Sequence, residues 1–142
     1  MTPHVGLGQT VAKIILFGEH SVVYGYPAIA LPMHSLRMTA RVEPLGPDAP
    51  STLTGLGWSG PMHKAPSHYA SILRARDVAV EFIGAPDAQM SITTQSEFPA
   101  QRGLGSSAAA AGAVIRAILD AYDAPAGPEE IVTLTQEAER VA

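Results

Sequence analysis

Nine consecutive residues, Gly103-Leu104-Gly105-Ser106-Ser107-Ala108-Ala109-Ala110-Ala111, constrain this chain more than any other stretch. The glycines permit backbone conformations that a Cβ disfavours, and alanine has the highest helix propensity, so a tight turn should feed the N-terminus of a helix. The first N–H groups of a helix lack intrahelical acceptors and lie at the positive end of its dipole, where phosphate oxygens can accept from them. A serine at the same place offers its oxygen to a hard cation such as Mg²⁺. The plain alternative is a tight turn with a serine N-cap. No lysine follows the second glycine, and Ser106 and Ser107 lead into alanine, so neither the Walker-type nor the dinucleotide fingerprint applies.

The rest of the composition narrows the function classes. With 142 residues, 46% hydrophobic and 15% charged, the chain suits one globular domain over residues 1–142. A net charge of −4 with scattered basic residues argues against nucleic acid as a partner. No cysteine is present, which removes disulfides and thiolate metal sites. No signal-peptide pattern and no apolar run of membrane-spanning length occurs, so the expectation is a soluble cytoplasmic protein that does not engage a membrane.

Taken in order, residues 1–8 read as a loose start and Thr10–Phe17 as a buried strand that Gly18 stops. Lys13 lies inside that run, either snorkelling to an edge or held by an anion. Glu19 and His20 open a polar turn, as a cap and a solvated ring or as the lining of a site. A second strand is expected over 26–32 and a separate, half-exposed one over 35–43, where Met38, Ala40 and Val42 alternate with polar residues. Residues 51–56 suit a short strand. Residues 57–66 suit a loop anchored by Trp58 and Met62, with Trp58 packing or stacking on an adenine.

Ser67 is the expected N-cap of a helix running to about Ile83 and stopped by Gly84. A strand over 90–94 then leads through Ser96–Arg102 into the glycine–serine loop. The helix after it should run from about Ser107 to Tyr122, with Ala111, Val114, Ile115, Ile118, Leu119 and Tyr122 on one face. Pro128 suits the first position of a further helix with Ile131, Leu134, Ala138 and Val141 inward. Glu139 falls on its polar flank, where a solvated carboxylate is the ordinary expectation.

Two of these stretches, Lys13-Ile14-Ile15-Leu16-Phe17-Gly18-Glu19-His20-Ser21-Val22-Val23-Tyr24-Gly25 and Ser96–Ala109, resemble the first and second motifs of the GHMP small-molecule kinases. The first is similar to that of the branch acting on mevalonate. The resemblance implies an α+β fold like the second domain of ribosomal protein S5, with a left-handed βαβ crossover. It implies ATP and Mg²⁺ as cofactors and phosphorylation of the mevalonate 5-hydroxyl in isoprenoid precursor synthesis. The alternatives are another alcohol substrate, homoserine or a sugar, or a non-catalytic nucleotide-binding module.

By the same resemblance, Arg102, Gly103, Leu104, Gly105, Ser106 and Ser107 would cradle the ATP phosphates, with Ser96 touching nucleotide just upstream. Ser107 and Glu139 would ligate Mg²⁺, Lys13 would lie by the reacting hydroxyl and γ-phosphate, and His20 with Glu19 would meet the mevalonate carboxylate. The family's aspartate segment resembling H-G-x-P-S-G-x-D and its C-terminal domain lie beyond Ala142. The expectation is therefore an incomplete N-terminal portion, inactive alone, whose partners are mevalonate, the C-terminal portion and a second copy in a homodimer. Val11-Ala12 and Gln101 depart from the family's commoner Pro-Gly and glycine.

Overall fold

Period-two alternation gives the sheet its two faces. Met38, Ala40 and Val42 are buried while the alternate residues Arg37, Arg41 and Glu43 are exposed and Thr39 is half-buried, and Met90 and Ile92 repeat the pattern on a neighbouring strand. The computed structural model describes residues 3–17, 29–55, 57–97 and 106–140. The strands are β1 (Gly6–Phe17), β2 (Ile29–Leu45), β3 (Thr52–Gly55), β4 (Trp58–Pro61) and β5 (Gln89–Ser96). They form one sheet in the order β1-β2-β5-β3-β4. All neighbours are antiparallel except β3 and β5, a parallel pair joined through β4 and a helix. The fold is mixed α+β, as expected.

Among the described residues the α-helices are α1 (Ala70–Phe82), α2 (Ser106–Ala121) and α3 (Pro128–Glu139). α2 packs on β1 and β2 and against α1, and α3 packs on α1 and α2. The apolar positions of α2 are not confined to one stripe: Ala109–Ile115, Ala117–Leu119 and Ala121 are buried, and only Arg116 and Asp120 among its described side chains are exposed. A helix apolar nearly all round belongs in an interior. Val114, Ile115 and Ile118 are fully buried, each stabilising the fold by about 2 kcal/mol.

Several expectations are corrected here. Residues 6–8 of the expected loose start belong to a strand: β1 begins at Gly6, because Gly6 and Gly8 lie where the backbone of α2 leaves no room for a Cβ. The two strands expected over 26–32 and 35–43 are one, β2, of 17 residues. Its register jumps where Arg37 faces Val11 and Met33 faces Ala12, and that irregularity interrupts the sequence pattern without ending the strand. Residues 58–61, expected in a loop, form β4, and Trp58 packs against Tyr69 with ring centroids 5.8 Å apart. Packing accounts for that tryptophan. Ser67 is not an N-cap; it opens a 3-10 turn, Ser67–Tyr69, that precedes α1.

The helix stops are as expected. Gly84, at φ 77°, ends α1 in a left-handed conformation, its N–H donating to Glu81 O and that of Ala85 to Val80 O. Pro128 opens α3, and Glu130 Oε1 accepts from the Gly127 N–H at 3.1 Å. Among the described residues no helix is long and apolar enough to cross a membrane.

Candidate active site

The chain reaches the glycine–serine loop through a fixed exit. At the ends of β2 and β5, the Glu97 N–H donates to Arg37 O at 2.9 Å, the Arg37 N–H donates to Glu97 Oε1 at 3.1 Å, and the Arg37 Nε lies 3.2 Å from the same oxygen. Both side chains are exposed, so the ion pair contributes little energy and the backbone bonds set the geometry. α2 begins at Ser106. A strand, a short connection and a helix N-terminus therefore follow one another, the order an anion-binding loop needs.

Beside the first turns of α2 lies a groove of about 510 Å³ between β1, α2 and α3. Thr10 and Val11 of β1 form one wall, and Ala108, Ala109 and Gly112 form the second. Ile131, Thr135 and Glu139 of α3 form the third. The small residues of α2 keep the groove open, since larger side chains on that face would fill it. Thr10 donates its hydroxyl to Ala109 O at 2.6 Å, which pins β1 to the start of α2. α3 is held on the far side by its packing on α1 and α2, with Arg74 of α1 3.8 Å from Glu137. Arg116 and Arg140 add positive charge to the rim.

The structure brings together some of the residues singled out in the sequence. Glu139, half-buried, lines the same groove as Ala108, the residue after Ser107. Ser106 and Ser107 lie in the first turn of α2. Lys13 lies in β1, in register with Pro32 and two residues beyond groove-lining Val11, with the register shift between Val11 and Ala12 intervening. Ser96 is the last residue of β5, opposite Met38, and borders a separate hollow with Gln9, Arg37 and Glu97. Glu19, His20, Arg102, Gly103, Leu104 and Gly105 lie outside the described residues.

Thr10, Thr135 and Arg116 were not foreseen as groove residues. A polar Thr10 opening an apolar run was the one local signal for the first of them. Among the described residues there is no cluster of three or more histidine, cysteine or acidic side chains that could hold a metal.

A family model described as the GHMP kinases N terminal domain matches residues 70–142, half of the chain. The chain belongs to this family. A mevalonate kinase of Pyrococcus abyssi is 30% identical over 157 aligned positions, which take in 96% of this chain and 45% of that protein. Among solved structures, a Methanococcus jannaschii mevalonate kinase superposes with a TM-score of 0.77 at 26% identity, over 95% of this chain and 46% of that one. One from Staphylococcus aureus MRSA252 has a TM-score of 0.72 at 34% identity, over 98% and 46%. The chain thus spans less than half the length of the mevalonate kinases it matches.

Proposed function

We propose that this GHMP domain is the ATP-binding part of a kinase that transfers the γ-phosphate of ATP to the 5-hydroxyl of mevalonate. The observation that carries the proposal is the placement of Glu139 in the groove beside the first turn of α2. A carboxylate from α3 and a serine from α2, residue 107, would hold Mg²⁺ there. When bound, the ion would neutralise charge on the ATP phosphates.

The chain's own groups do the rest. The N–H groups that open α2 take up phosphate oxygens, with the residues from Arg102 to Ser107 cradling them and Ser96 meeting the nucleotide. Lys13 sets its ammonium against the transferred group or lowers the pKa of the attacked alcohol. Positioning and charge neutralisation supply most of the rate in such transfers. His20 and Glu19 orient the mevalonate carboxylate. The base that takes the hydroxyl proton comes from the segment that follows in the family, so turnover requires the C-terminal portion.

The test is ATP-dependent phosphorylation of mevalonate by this chain and by the same chain continued into the portion that the matched kinases carry, beside a Lys13→Met control. Transfer by the continued chain alone, lost with Lys13→Met, is expected. Mg·ATP binding without phosphate transfer to mevalonate in either form refutes the substrate.

A further inference from the structure

His4 stands just before β1, where the chain meets the C-terminal end of α2. Its main-chain N–H donates to Ala121 O at 2.9 Å. Its ring makes two further contacts: Nε2 lies 3.0 Å from Asp123 Oδ1, and Nδ1 lies 2.8 Å from Val5 O. A carbonyl oxygen only accepts, and so does an ionised carboxylate. Both contacts are hydrogen bonds only when both ring nitrogens carry a proton. A neutral imidazole has one N–H and must give up one of the two.

We infer that a protonated His4 clasps the start of β1 to the end of α2, and that the clasp gives up one of its two ring bonds as the imidazolium loses its proton. The inference stands apart from the kinase proposal. The charged groups facing the ring among the described residues are both acidic: Asp123 in the turn after α2 and Asp120 in its last turn. Asp120 Oδ2 also accepts from the Leu7 N–H at 2.9 Å, so the same carboxylates hold both backbone and ring. A cation at a helix C-terminus is further favoured by the helix dipole. The bond to Asp123 first, and then that to Val5 O, hold the His4 pKa above its ordinary 6.5.

The sign follows from linkage. A group whose pKa is raised in the folded chain contributes its full stabilisation below 6.5, and loses it as pH rises through the raised value. Loss of a ring bond leaves the start of β1 held at this point by the His4 and Leu7 N–H groups, which donate to Ala121 O and Asp120 Oδ2.

An NMR titration of the His4 ring in the 142-residue chain, from about pH 5 to about pH 9, reads this directly. His4 should titrate above 6.5, and Asp123→Asn, which keeps a residue tolerant of the left-handed φ of 51°, should move it down towards 6.5. Unfolding of wild type and His4→Gln by urea should show a stability gap at low pH that closes as pH rises. A His4 pKa at or below 6.5, an Asp123→Asn chain with that pKa unmoved, or a gap constant with pH would each overturn the inference.

Discussion

Replacing Gly8 by alanine tests the seam on which the groove depends. A Cβ built at Gly8 falls 2.1 Å from Ala113 O and 2.5 Å from Ala117 N, both main-chain atoms of α2. Ordinary contact begins at 3.4 Å, so one of the two elements must retreat by about 1.3 Å. α2 is buried on nearly every side, which leaves β1 to move. Such overpacking costs about 1–3 kcal/mol. The same shift carries Thr10 Oγ1 out of hydrogen-bonding range of Ala109 O, for about 1 kcal/mol more. With a urea slope of about 2 kcal/mol per M, the unfolding midpoint should fall by about 1–2 M. Gly46→Ala is the control, because nothing lies within 4 Å of a Cβ there, and it should stay within about 0.5 kcal/mol of wild type. Equal midpoints for the two variants would show that β1 does not meet α2 in this way.

Other substitutions test separate parts of the structure. Tyr69→Phe removes the O–H that donates to Gly55 O at 2.6 Å in the core and should cost about 1–3 kcal/mol by urea unfolding; an unchanged midpoint would refute the bond. Glu130→Ala removes the acceptor of the Gly127 N–H and should cost about 0.5–1 kcal/mol, with faster hydrogen exchange at that amide as its local signature. Glu139→Gln should weaken Mg·ATP binding about tenfold, or about 1.4 kcal/mol, in calorimetry while leaving the unfolding midpoint in place; full affinity would remove Glu139 from the proposed metal site.

Sequence alone determined the features that repeat over short range. Alternation over 35–43 and 90–94 marked half-buried strands, Gly84 and Pro128 marked a helix stop and a helix start, and the alanine run marked the start of α2. Each depends on a residue and its neighbours within a turn or two, so each is legible locally. The two motifs also pointed to the family, since residue identities in a fixed order survive without any structure.

Only the tertiary structure decided what depends on residues distant in the chain. Gly6 and Gly8 looked like a loose start because their reason for being glycine is the backbone of Ala113, Ala117 and Ala121, over a hundred residues away. The 17-residue β2 looked like two strands because its irregularity is set by pairing with β1. From its own helix alone Glu139 looked like a surface carboxylate, and only the family resemblance singled it out; packing of α3 against α2 is what places it in a groove wall. Local preference selects which elements form, and the fit between their surfaces, which no short stretch encodes, selects where the chemistry meets.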